Sequence, residues 1–167
     1  MDALLVEAFR YNRWANLQLL DVCEKLSDEQ LQLTAPGTYG TIAGTLLHLF
    51  SAEQRYLRRL AGTEPELNER DPMPSMAALT EIARRSGDKL IELAATITPD
   101  DTIDEERDGH LLRLHLGVVV VQAMHHGNDH RTHICTILGH HGIEQRDMDV
   151  WAYGVATGGI VPIPAKA

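Results

Sequence analysis

Along four separate stretches of this chain apolar residues recur at intervals of three and four, a spacing that specifies amphipathic helices. The first runs from Asp2 to Leu26 and puts Leu5, Phe9, Ala15, Leu19, Val22 and Leu26 on one side. After a break at Pro36-Gly37 the second opens at Thr41, whose hydroxyl can cap it, and carries Ile42, Leu46, Leu49, Leu57 and Leu60 before ending near Gly62. Ser75 caps the third, with Leu79, Ile82, Ala83, Leu90, Leu93, Ala94 and Ile97 interrupted by Gly87 and stopped at Thr98-Pro99. The fourth spans Gly117 to Gly139, with Val119, Ala123, Ile134, Ile137 and Leu138 apolar and Gly142 close behind.

The connections complete the expectation. Ser27-Asp28-Glu29-Gln30 has the form of a capping box, which starts a short helical turn. Thr63 to Pro74 holds Pro65, Pro72 and Pro74 among acidic residues and reads as an exposed, extended crossover. Between Thr102 and His115 the alternation Leu112-Arg113-Leu114-His115 admits a short strand or hairpin. The tail to Ala167 is punctuated by Gly and Pro. The expected architecture is an all-α four-helix bundle, one domain over residues 1–167, with a long crossover between helices two and three and a short hairpin before helix four.

Charge narrows the functional classes. Acids outnumber bases 24 to 15, a formal net charge of −9, which opposes binding to nucleic acid, where affinity comes from neutralising phosphates with Lys and Arg. The clusters Arg55/Arg58/Arg59 and Arg84/Arg85 read as solvated helix surface. The apolar run Val118 to Val121 falls far short of the ~18 residues that cross a bilayer, and the N-terminus has acids where a secretory signal has bases. A cytoplasmic protein that neither spans nor binds a membrane is expected. Cys23 and Cys135 lie inside helical apolar patterns without CxxC spacing and read as buried, reduced thiols.

The chain has nine histidines, and His125, His126, His130, His133 and His140 all fall on the fourth helix or its end. One turn apart, His126 and His130 share a face with Val119, Ala123 and Ile137, so both rings project towards the core. Two neutral imidazoles so placed can converge on one divalent ion. The spacing alone is weak evidence, since random placement gives about 0.4 such pairs. His48 offers a third ring in the middle of helix two, within Leu46-Leu47-His48-Leu49-Phe50. It is either a ligand, with Gly44, Thr45 and Ala52 leaving room beside it for ion, water and substrate, or a core histidine bonded to a backbone carbonyl. His125 is turned away, towards exposure or Asp129. His133, near the His126/His130 face, is a candidate for contact with a ligand ring or with substrate. His110, His115, His140 and His141 flank element ends. Glu-x-x-His, His-Glu-x-x-His, Gly-x-Ser-x-Gly, the P-loop and Gly-x-Gly-x-x-Gly are all missing from the sequence, which leaves di-iron, zincin, serine hydrolase, phosphoryl-transfer and Rossmann readings unsupported.

Taken together, Tyr11-Asn12-Arg13-Trp14-Ala15-Asn16, the stretch Gly40 to His48, His125-His126-Gly127-Asn128-Asp129-His130-Arg131 and Asp149-Val150-Trp151-Ala152-Tyr153 resemble the DinB/YfiT-like metalloenzyme family over nearly the whole chain. The resemblance implies a four-helix bundle, often a homodimer, holding nickel or zinc on three histidines that map onto His48, His126 and His130. It also implies, for some members, transfer or isomerisation with low-molecular-weight thiols. His133 departs from the pattern, which usually has glutamine there.

Two functions follow as expectations. One is a metal-dependent enzyme acting on a small molecule, by thiol-dependent transfer or by metal-assisted hydrolysis, with no general base identifiable in the sequence. The other is a metal-stabilised binding or sensing protein without turnover, in which the ion fastens helix two to helix four. A homodimer is expected in either case.

Overall fold

The computed structural model describes residues 3–163, so Asp2 and the last residues of the tail lie outside it. The elements are α1 (Ala3–Cys23), α2 (Asp28–Leu31), α3 (Ile42–Ala61), α4 (Met76–Ala94), β1 (Thr102–Arg107), β2 (His110–His115), α5 (Leu116–His140) and α6 (Val150–Ala156). The chain is therefore mostly helical, with one small two-stranded sheet. The capping signals act as read. Thr41 and Ser75 accept from Gly44 N and Ala78 N, and Ser27 and Gln30 form both halves of a capping box. Gly62 ends α3 in the left-handed conformation at φ 67°, which glycine adopts without steric cost. Helices α1 and α4 stop three residues before the apolar periodicity does, at Cys23 and Ala94, and Leu26 and Ile97 pack from the following turns.

Each long helix packs against two others, α1 and α3 both touching α4 and α5. Core membership sets their directions. One cluster joins Leu19, Leu20 and Cys23 to Ile42, Leu46, Leu79, Ala83, Ile134 and Leu138. The other joins Val6 and Phe9 to Leu57, Leu90, Ala94, Val120 and Ala123. The C-terminal half of α1 thus meets the N-terminal halves of α3 and α4 and the C-terminal half of α5. It follows that α3 and α4 run parallel, while α5 runs antiparallel to α3. Parallel neighbours cannot be joined by a tight turn, so residues 62–75 must travel back along α3, which explains the long crossover between them.

Between the two apolar clusters lies a polar layer. Asn12, Asn16, Glu53, Ser86 and Arg131 are all buried. Arg131 Nη1 donates to Asn12 Oδ1 and Asn16 Oδ1, both at 2.7 Å, and its guanidinium sits 5.6 Å from the centre of the Tyr11 ring. Asn16 Nδ2 donates to Glu53 Oε2 at 3.0 Å, and Ser86 Oγ donates to Glu53 Oε1. Burial pushes the Glu53 carboxyl above its usual range, while Ser86, Arg131 and the two asparagines pull it down. Backbone approach is close here, since a Cβ on Gly127 would stand 2.7 Å from Asn12 Oδ1. The interruption of the α4 stripe at Gly87 has a similar cause, a Cβ there meeting Arg13 Cγ at 2.6 Å.

The strands pair antiparallel from Thr102↔His115 to Arg107↔His110, closed by Asp108-Gly109 with both residues at positive φ. Helix α6, in the segment read as an irregular tail, is capped by Asp149 and docks on α1 through a Tyr153 hydroxyl that donates to Glu7 Oε1 at 2.6 Å. Both thiols are free, and burial holds that of Cys23 up to about 12. Among the described residues no helix is long and apolar enough to cross a membrane.

The polar layer makes a stability prediction. Arg131→Met removes the buried charge that opposes the Glu53 carboxyl and Glu53→Leu removes the one that opposes the guanidinium, so each is expected to cost about 3–5 kcal/mol in urea unfolding. Arg131→Met/Glu53→Leu together is expected to cost less than the sum of the two. Strict additivity would show that the layer does not act as a unit.

Candidate metal centre

His48 sits in the second turn of α3, and His126 and His130 lie one turn apart on α5, the helix that runs antiparallel beside it. The helical phase carries all three rings to one place. Their centres are 5.0 Å (His48 to His126), 4.6 Å (His48 to His130) and 4.3 Å (His126 to His130) apart, and one nitrogen from each lies within 4.8 Å of the others. His130 is buried, and His48 and His126 are half-buried.

These donors suit a divalent ion on two counts. The first is spacing: two nitrogens ~2.0–2.1 Å from one ion stand about 2.9 Å apart at a right angle and about 3.4 Å apart at a tetrahedral angle. His48 Nε2 and His126 Nε2 are separated by 3.1 Å, between those values. The second is protonation. Burial, followed by the neighbouring histidines, lowers His126 and His130 to about 4, so both rings keep a lone pair at neutral pH.

Behind the rings stands a residue that the periodicity gave no reason to select. Glu69, on the crossover, places Oε1 2.8 Å from His48 Nδ1 and 2.7 Å from the Tyr39 hydroxyl, which donates to it. The partner of His48 is therefore a carboxylate rather than the backbone carbonyl of the alternative reading. With Nδ1–H given to Glu69, the Nε2 of His48 presents its lone pair to His126 and to any ion. Tyr39 stacks on His48 at 4.1 Å and meets His130 edge-on at 5.1 Å. Tyr56 stands edge-on to His126 at 5.7 Å.

His133 comes to the same neighbourhood. Its Nδ1 lies 3.3 Å from His130 Nδ1, where it can accept that ring's N–H and leave the other nitrogen of His130 as a lone pair. Asp129, His130 and His133 form a second group of convergent donors, but Asp129 is exposed. A neutral imidazole has one lone pair, so His130 serves one ion, and the more enclosed group with His48 and His126 is the better site. His125 is exposed, as its phase requires. His110, His115 and His140 are exposed too, while His141 meets Thr34 O at 2.9 Å.

Comparison with known proteins places this chain in a family. No curated protein matches the chain. Among solved structures it is similar to a DinB-like protein from Bacillus cereus ATCC 10987, with 20% identity over 86% of this chain and 94% of that one and a TM-score of 0.65, a likeness of fold. The model of the DinB family matches residues 1–161, nearly the whole of the sequence, and the chain belongs to the DinB family.

Proposed function

We propose that this chain is a metal-dependent enzyme on a four-helix bundle, with His48, His126 and His130 holding one nickel or zinc ion and a small molecule reaching it from the open side. The convergence of three imidazoles, two of them kept neutral by burial and one backed by a carboxylate, supports this reading most directly. A divalent ion on three protein ligands leaves a position for water or substrate and lowers the pKa of a water or thiol placed there. Glu69 and Tyr39 orient His48, and His133 orients His130, so that little rearrangement is needed when substrate arrives. Thiol-dependent transfer is the leading reaction class, by likeness to the family; ester or amide hydrolysis is the chemical alternative.

A second reading is favoured by the position of the rings on two different helices. An ion shared by α3 and α5 would fasten them, and a protein without turnover would then bind or sense through the same site. Incubating zinc- and nickel-loaded protein with low-molecular-weight thiols plus electrophilic acceptors, and with ester and amide panels, decides between the two. Silence throughout with metal bound would favour the second.

A homodimer belongs to the proposal as well. Most of the apolar faces of α1 and α3 is taken up by the core, and the apolar surface left for a partner includes Leu111, Val118 and Val121 near the hairpin and Val150, Trp151 and Val155 on α6. Sedimentation is expected to show a dimer at tens of micromolar, well above a dissociation constant of about 1 μM.

Metal content tests the ligands. His48→Ala, His126→Ala and His130→Ala are expected to lose the ion in elemental analysis, whereas His125→Ala and His140→Ala retain it. Glu69→Gln is expected to weaken the metal by about 10–100-fold without abolishing it. Should His48→Ala bind as tightly as the parent, His48 is only a core residue.

The depressed histidines also set a pH dependence for the metal-free protein. The unfolded rings take up protons below about 6.5, while folded His126 and His130 resist until about 4, so between those values the unfolded state binds more protons. Stability is therefore expected to be highest above that window and to fall as pH drops through it. Urea unfolding at pH 7 and pH 5 measures the slope, and His126→Gln is expected to flatten it.

A further inference from the structure

Strand β1 lies beside α3 beyond the three histidines and encloses a cavity of about 520 Å³, with Arg55, Arg58 and Arg59 on the helix side and Ile103 to Glu106 opposite. Spaced at i, i+3 and i+4, the arginines share one face of α3. Arg59 is already matched, its Nε 2.6 Å and Nη2 2.7 Å from the two oxygens of Glu105. Asp104 is closed in the same way by Arg113 of β2, at 2.7 and 2.8 Å. Side chains alternate along a strand, so half-buried Ile103 and Glu105 face α3 while exposed Asp104 and Glu106 stand at the cavity rim, Glu106 without an ion-pair partner among the described residues. Setting Arg59 against Glu105 leaves Arg58 without an ion pair and Arg55 only loosely paired on the inner wall. Arg55 approaches Glu69 Oε2 only to 3.7 Å, and Arg58 is exposed with no ion-pair partner among the described residues.

In a chain of formal charge −9, one unpaired and one loosely paired guanidinium at the mouth of a cavity favour an anion there, and each can hold a carboxylate or phosphate with two parallel bonds. The cavity is also in line with the metal centre. Arg55 follows His48 by two helical turns, on the same face and about 10.5 Å further along the axis.

We propose that this cavity is the anion-binding end of the substrate site, taking the carboxylate or phosphate of a small molecule about 10 Å long whose other end reaches the three histidines. The inference rests on the metal reading for what happens at that far end, and on Arg55 and Arg58 alone for the anion.

The test titrates full-length, metal-free protein with succinate, with inorganic phosphate, and with succinamide as the uncharged counterpart, following the Arg55 and Arg58 side-chain Nε–H signals and the Ile103 amide by NMR. Metal-free protein is used so that the anion cannot bind the ion itself. Saturable shifts with succinate or phosphate below about 50 mM, and none with succinamide, are expected. Arg55→Gln/Arg58→Gln is expected to weaken binding at least about tenfold, and Arg84→Gln, on α4, to leave it unchanged. Absent shifts, equal shifts with succinamide, or undiminished binding by the double variant overturn the proposal. Zinc content separates it from the metal reading. Zinc retained by a double variant that has lost the anion supports the assignment, and zinc lost together with the anion overturns it. If wild-type protein binds succinate but takes up no zinc, the metal reading fails and the anion site stands.

Discussion

A guanidinium buried in the core needs acceptors, and those that Arg131 Nη1 finds set the axial alignment of the long helices, while its Nη2 is buried without a hydrogen-bond partner. Its partners Asn12 and Asn16 come from α1, and through Asn16 the chain of bonds passes to Glu53 of α3 and Ser86 of α4. Sliding any of these helices by one residue would rotate a partner by ~100° and strand a charge or an amide in the core, at a cost of several kcal/mol. Apolar contacts alone tolerate such slips more readily, because one leucine can replace another against a flat face. The layer therefore supplies register where the two apolar clusters supply most of the stability.

That register reaches the metal centre directly. Arg131 is the residue after His130 on α5, and Glu53 lies five residues beyond His48 on α3, so the bonds that align the core also align the three rings. A separation of 3.1 Å between two imidazole nitrogens on different helices needs positional accuracy of a few tenths of an ångström. Rigid helices pinned by a buried network provide it; connecting segments would not. Glu69 comes from such a segment, but its oxygen is held at 2.7 and 2.8 Å by two groups, Tyr39 and His48. The crossover passes there because α3 and α4 are parallel and the chain must retrace α3 to begin α4.

The sequence made much of this legible where the signal was local. Thr41, Ser75 and Ser27 cap because each is followed at the right distance by a helix whose first amides need acceptors, and His126 and His130 share a face because one helical turn separates them. The hairpin was open only as an alternation of apolar and polar residues; its stronger mark was Asp108-Gly109, which suits the two positive φ angles of the turn. Asp149 three residues before Ala152 was likewise a cap that could have been read as the start of α6. Glu69 and the pairing of Arg131 had no local signal. Both depend on residues far apart in the chain, at 21 positions for His48 and Glu69 and 119 for Asn12 and Arg131, and only the packed helices bring them together.

The charge on the two sides of the centre is arranged unevenly. Around His48 and His130 the neighbours are a carboxylate, a phenol and a further imidazole, groups that orient the rings and compensate a bound cation. Along α3 towards β1, Glu105 and Asp104 are each engaged by an arginine through both oxygens, which leaves Arg58 without an ion pair, Arg55 loosely paired and Glu106 at the rim. Coulomb interactions between partly exposed groups fade over about a Debye length, ~8 Å at physiological salt, so each side acts mainly on what touches it. Glu69, which holds His48 through Oε1, also approaches Arg55 through Oε2 at 3.7 Å, so one carboxylate lies between the two sides. On the proposed reading the acidic surface and the cavity are compatible: a net charge of −9 opposes polyanions, and Arg55 and Arg58 would take an anion small enough to fit between one helix and one strand.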